Sequence, residues 1–115
     1  MAETFQRVIK STVSQTATFD SLYTCPGSTT AIIIGLQVAN VHATDACWVT
    51  VRTKDTAGTS TGSQISVIVN QISIPVNDTL APIQGKLVLE ANQEISATAQ
   101  TASSLDLTLS ILEIS

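Results

Sequence analysis

Charged side chains are scarce in this chain, and their scarcity limits what it can bind. Asp, Glu, Lys and Arg make up 12% of the 115 residues, about half the ~25% of an average globular domain. The formal net charge is −4 and the isoelectric point is near 4.6. The basic residues are Arg7, Lys10, Arg52, Lys54 and Lys86. Two short pairs and a single lysine do not form a phosphate-tracking stripe, so no nucleic-acid partner is expected. Histidine occurs once and cysteine twice, too few for a four-ligand structural zinc site or a disulfide scaffold. Cys25 and Cys47 read as free buried thiols, the preferred reading, or as a single bridge. Aromatic residues are 3% of the chain, and a sugar-binding platform wants two or more rings together. Long apolar runs are also missing. The longest, Ala31 to Leu36, falls far short of the ~20 residues of a membrane helix, so no membrane partner is expected. Met1 to Ser14 lacks the apolar stretch of about 7–15 residues that marks a signal peptide. The Asn-x-Thr acceptor at Asn77–Thr79 is then a chance match.

Hydroxyls fill the place of the missing charges. Ser (13) and Thr (17) account for 30 of 115 residues. Thr suits strands and Ser suits turns, and the many Ile, Leu and Val oppose disorder. Hydroxyls cost less to desolvate than ions, so such a surface is easier to bury against a neighbour. The length fits one domain spanning residues 1–115, with residues 1–18 as a first strand and an arm or long connection. A chain of this size buries roughly two-thirds of its unfolded surface, enough for a core.

Helical periodicity is nearly absent, and short β-rich runs recur between turn residues. Strands are expected over Thr4–Ile9, Ala17–Thr24, Thr30–Ala39, Ala46–Lys54, Gln64–Ile74, Lys86–Glu90, Gln93–Ala99 and Leu105–Ile114. A short edge segment is expected within Val76–Gln84. In the second run Phe19 and Tyr23 share one side and Leu22 takes the other. Cys25-Pro-Gly-Ser28 is a turn, with Pro at its first corner and Gly at its second. The third run is apolar on both faces and should be central, with Gly35 marking a bulge or a close backbone approach. In the fourth, Cys47, Val49 and Val51 face inward and Trp48, Thr50, Arg52 and Lys54 outward. Asp55–Ser63 reads as an exposed loop. The last three strands are expected to form a meander, with turns at Ala91–Asn92 and Thr101–Ser104. Roughly seven to nine strands at this spacing indicate an all-β antiparallel sandwich, in plain or jelly-roll form, or a barrel, with the sandwich preferred.

Two strands change phase. Ile65, Val67 and Val69 share odd parity, then Ile72 and Ile74 are even. That requires a bulge or a strand that leaves one core for another. In the last strand Leu105, Leu107, Leu109 and Ile111 share one face, and the other face turns apolar at Leu112 and Ile114. A strand wet on one side should alternate to its end. Ile72, Ile74, Leu112 and Ile114, with Trp48 on an outer face, are therefore the candidate interface residues, and the two pairs are expected side by side.

Catalytic chemistry has little to stand on, and neither catalytic, metal nor cofactor-binding residues are assigned. His42 lies near Asp45 and Cys47, and a Cys–His pair can serve as nucleophile and base. Cys47, however, has the parity of Val49 and Val51 and should point into the core. Glu90 and Glu94 flank a turn, where solvated carboxylates are the ordinary reading. No phosphate-cradling glycine motif occurs.

Two stretches resemble a known group. Leu22-Tyr-Thr-Cys-Pro-Gly-Ser-Thr-Thr-Ala-Ile-Ile-Ile-Gly-Leu-Gln-Val-Ala-Asn40 combines a strand, a Pro-Gly turn and an apolar strand ending in Ala-Asn. Lys86-Leu-Val-Leu-Glu-Ala-Asn-Gln-Glu-Ile-Ser-Ala is followed by Ser104-Leu-Asp-Leu and the terminal Leu-Glu-Ile. Both resemble small virion structural proteins of tailed bacteriophages, including cyanophages, over about half the chain. The resemblance implies a non-enzymatic β-sandwich of the phage particle without cofactors. Its first implied role is a capsid cement or decoration protein, a homo-oligomer and often a trimer, bound to the major capsid protein after assembly in the host cytoplasm. The second is a small neck, tail or fibre-attachment component. A carbohydrate-binding or adhesin module using Trp48 is the reading from another class.

Overall fold

The computed structural model describes residues 3–10, 19–55, 65–83, 86–101 and 104–114. They form nine strands and no helix: β1 (Glu3–Lys10), β2 (Asp20–Thr24), β3 (Thr30–Asn40), β4 (Cys47–Lys54), β5 (Ile65–Ile74), β6 (Thr79–Leu80), β7 (Leu87–Leu89), β8 (Glu94–Ala99) and β9 (Leu105–Ile114). The expected arm at 11–18, most of the Asp55–Ser63 loop and the centre of the Thr101–Ser104 turn lie outside the described residues.

Two antiparallel sheets pack as a sandwich. The first has the order β1-β9-β3, with β6 and β7 sharing the far edge of β3. The second has the order β2-β8-β4-β5. The pairing is nested: β1 with β9, β2 with β8, β3 with β6 and β7, β4 with β5. A long hairpin rolled across two sheets gives this order, the jelly roll. Inward positions supply the core, with Ile33, Leu36, Val38, Leu105, Leu107, Leu109 and Ile111 from the first sheet. Val49, Val51, Ile74, Ile95, Ala97 and Ala99 face them from the second.

The expected meander is not formed. The turn at Glu90–Gln93 closes on itself (Gln93 N–H to Glu90 O, 3.0 Å) with Asn92 at φ 69°. Its second half bonds to Cys25: Cys25 N–H donates to Gln93 O and Asn92 N–H to Cys25 O, both at 2.8 Å. The chain is thereby handed from β7 in the first sheet to β8 in the second. The earlier turn also sits one residue later than expected, because Ser28 and not Gly27 takes the left-handed conformation (φ 65°).

Bulges explain the phase changes. On β3 the partner of Ile33 is Ile111 and that of Gly35 is Ser110, so Ile34 is the extra residue. Inward parity passes from Ala31 and Ile33 to Leu36, Val38 and Asn40. On β5 two irregularities fall opposite Val49–Arg52. Gln71 there has φ 52°, and its N–H donates to Thr50 Oγ1 at 2.9 Å. On β2 a bulge between Ser21 and Tyr23 puts the two aromatics on opposite sides, contrary to the alternation expected. Phe19 lies under the Arg52 guanidinium, 3.7 Å from ring centroid to Cζ. Tyr23 instead reaches between the sheets.

Candidate interaction surface

The outer face of the first sheet is apolar where water should meet it. The register places Phe5 beside Leu112, Leu112 beside Ile32, and Ile32 beside Val88. All four point outward, because their alternates on β3, β7 and β9 (Ile33, Leu89, Ile111) are buried. Cross-strand neighbours stand ~5 Å apart, so the four form one continuous row across four strands. Phe5 is 74% exposed and Val88 54%. Leu112 and Ile32 are half-buried by their neighbours. Ile114 extends the patch on one side, and Ile34, thrown out by its bulge, on the other. An apolar area of this continuity is unusual on the outer face of an antiparallel sheet, where polar residues are the ordinary occupants.

Charges border the row in an ordered way. On β1, Glu3 and Arg7 lie two residues to either side of Phe5 and pair with Ile114 and Ser110. At the other edge, exposed Glu90 and Lys86 lie two residues to either side of Val88. Thr30 pairs with Ile114 and Ala31 with Leu89, so Glu90 falls on the side of Glu3 and Lys86 on that of Arg7. One flank of the row is acidic and the other basic.

At its inner end β9 does not switch phase. Glu113 takes the inward position between Ile111 and the end of the strand, beside Thr4 and Ala31. Its carboxylate accepts hydrogen bonds from the Tyr23 hydroxyl of the opposite sheet and from Gln6 Nε2 (2.8 Å). Burial, reinforced by the adjacent Glu113 carboxylate, pushes the Tyr23 phenol above its usual range. Burial likewise raises the Cys25 thiol beside it. This polar closure seals one mouth of the sandwich.

The remaining candidates separate. Ile74 is 1% exposed and pairs with Cys47 in the core, so it cannot contact a partner. The bulges on β5 return it to the inward phase. Ile72 is 43% exposed, but on the edge strand of the second sheet. It therefore lies in the opposite layer from Leu112 and Ile114, and the two pairs do not meet. Trp48 is half-buried on the outer face of the second sheet beside Gln100, whose Oε1 accepts its backbone N–H. The other rings sit elsewhere: Phe19 on Arg52, Tyr23 at the mouth, Phe5 on the first sheet.

His42 and Cys47 do not form a nucleophile–base pair. His42 Nδ1 accepts the N–H groups of Thr44 and Asp45 (3.1 and 3.0 Å), which organises its own loop. Cys47 is buried, and its thiol donates to Trp48 O. Both cysteines are free. They sit at opposite ends of the sandwich, since Cys25 bonds Gln93, beside the Glu94–Lys54 pair at the far end of β4 from Cys47. Among the described residues no cavity opens and no group of His, Cys, Asp or Glu is arranged to hold a metal ion.

Leu112 and Ile114 are outward apolar positions as their parity implies, and the structure sets Phe5, Ile32 and Val88 beside them, residues that the sequence does not connect with them. The parities were readable, while the register that aligns the four strands was not.

No sequence family matches the chain, and no curated protein does. Solved structures share its fold at low identity. A chain of the infectious bursal disease virus particle superposes with a TM-score of 0.57 at 7% identity, covering 96% of this chain and 30% of that one. This protein thus spans less than a third of that viral chain. A chain of the disulfide-linked pili that form Bacillus endospore appendages gives 0.51 at 11% identity over 98% and 88% of the two chains. A chain of the capsid of Helicobacter pylori bacteriophage KHP30 gives 0.50 at 10% identity over 100% and 94%. The two-sheet sandwich is therefore a fold this protein shares with chains of viral particles and of a pilus.

Proposed function

We propose that the chain is a non-enzymatic structural protein of a bacteriophage virion, a capsid cement or decoration protein that binds and stabilises the major capsid shell as a homo-oligomer. The observation that carries this is the outward apolar row Phe5–Leu112–Ile32–Val88. A sandwich that only had to be soluble would place polar residues there. Low charge and abundant hydroxyls suit a subunit that buries further surface on assembly. The fold is the one found in the viral chains above, and the phage capsid chain matches almost end to end. As the trimer implied by the bacteriophage resemblance, or in another closed symmetry, subunits would cover Leu112 and Ile114. Ile72 and Trp48 on the other sheet are left to meet the shell.

The pilus likeness supports a second kind of assembly, but a disulfide-linked fibre needs reachable thiols, and Cys25 and Cys47 are 0% and 1% exposed. The copy number per particle, measured by quantitative mass spectrometry of purified virions, tests the proposal. Hundreds of copies are expected for a shell protein. A single ring's worth would move the role to the neck, tail or fibre attachment. Absence from the particle would reject a virion role.

A further inference from the structure

We propose that the outer face of the first sheet docks a second copy of this chain about a two-fold axis running along the Phe5–Leu112–Ile32–Val88 row. The proposal rests on the homo-oligomer reading and gives that oligomer its symmetry.

Charge order identifies the occupant. The row is bordered by Glu3 and Glu90 on one flank and by Arg7 and Lys86 on the other. A two-fold rotation about the row lays each flank over the opposite flank of its copy. Glu3 then faces the partner's Arg7, and Glu90 faces the partner's Lys86, each contact occurring twice. The apolar row meets itself, and Ile114 lies over the partner's Ser110. A face whose charges reverse across its midline is complementary to itself, which is the requirement of an isologous interface. The same rotation runs the strands of the two copies antiparallel, and sheet twist sets them at about −30°, the aligned packing of sandwiches.

The row lies two residues from the strand ends at Glu3, Thr30 and Ile114, so the rotation overlays about five residues on each of four strands, roughly 330 Å² in plan with strands ~4.8 Å apart and ~3.4 Å of rise per residue. Twist makes the corners diverge, so the central row carries most of the contact, and that row is apolar throughout.

Sedimentation velocity at micromolar concentration decides it. The wild type is expected at twice the 12.1 kDa subunit mass. Phe5→Glu and Val88→Glu replace residues more than half exposed in the subunit, so each should melt as the wild type does yet sediment as a monomer. Arg7→Glu sets like charges together at two symmetry-related places and should weaken the dimer about tenfold or more. The double variant Glu3→Arg/Arg7→Glu restores opposite charges and should restore the dimer. A monomeric or trimeric wild type, a dimer indifferent to Phe5→Glu, or a charge reversal that the double variant does not rescue would overturn the proposal. Copy number on the particle reports on the virion role independently of all these outcomes.

Discussion

At Asn40 one buried side chain ties three segments together. Its Nδ2 donates to Ile74 O (2.8 Å) and Asp45 O (3.1 Å), and its Oδ1 accepts the His42 N–H (2.8 Å). Its backbone N–H donates to Asp78 O in the turn after β5. The loop after β3, the end of β5 and the turn beyond it are thus held from one position. Asn40→Ala removes three hydrogen bonds and leaves the Ile74 carbonyl without its side-chain donor, at a cost of about 2–4 kcal/mol. Urea denaturation should show that loss as a lower midpoint. Asn40→Asp should do no better, because a carboxylate cannot donate to two carbonyls. A loss under about 0.5 kcal/mol for either variant would contradict this role. The sequence displayed Asn40 only as the end of an apolar strand. Nothing local distinguishes a buried clamp from an ordinary strand-ending Asn.

Strand existence was legible because alternation and turn residues are local signals. The run from Cys47 to Arg52 alternates in burial as its sequence does, apart from Thr50. Even the two-residue edge strand Thr79–Leu80 falls within the segment expected to hold one. Sheet membership was not legible, since it depends on what a turn's flanking groups bond to. The Glu90–Gln93 turn looks like a hairpin until Cys25 takes the backbone of Asn92 and Gln93. The closure at Glu113 was hidden for a related reason, because its partners lie 90 and 107 residues away in the sequence. This closure predicts an alkaline weakness. The Tyr23 phenol, held up mainly by burial and then by Glu113, and the Cys25 thiol, held up mainly by burial, both keep their protons longer when folded than when unfolded. The folded state then binds more protons, so its stability is full below the usual thiol and phenol values and falls as pH rises through them. Urea midpoints between about pH 7 and 11 should decline, with the thiol range affected first. Tyr23→Phe should lower stability at neutral pH through the lost bond to Glu113 and flatten the later part of the decline. An unchanged slope would remove the phenol from the account.

Over the whole molecule, the described residues extend 47 × 27 × 20 Å, long in one direction and thin in another. The two thiols lie toward opposite ends, each inside its own layer of packing. Oxidising conditions should therefore produce neither an internal bridge nor linked chains. Electrophoresis should show one band at the subunit mass with or without reductant, and alkylation of the folded protein should be slow until denaturant is added. A ladder of covalent multimers would favour a disulfide-linked assembly instead. The two outer faces also differ in character. The first sheet carries the apolar row, while the second carries Trp48, Arg52 and the buried hydroxyls of Thr50, Ser96 and Thr98. The two faces are thus chemically distinct, one apolar along its central row and the other carrying hydroxyls and the Arg52 cation.

The position of β9 sets an order in time. This strand, the last one described, lies in the middle of the first sheet, between β1 and β3. Until it has emerged from the ribosome, β1 has no strand to pair with among the described residues, and β3 has only the short strands β6 and β7 along one edge. The apolar face cannot exist in a partly made chain, because its row needs Leu112 to join Phe5 to Ile32. Contacts that span nearly the whole sequence also slow folding, as in other sandwiches, to about the millisecond-to-second range. The outward apolar row is thus completed only once β9 has been made, and a chain that stops short of it cannot present that row.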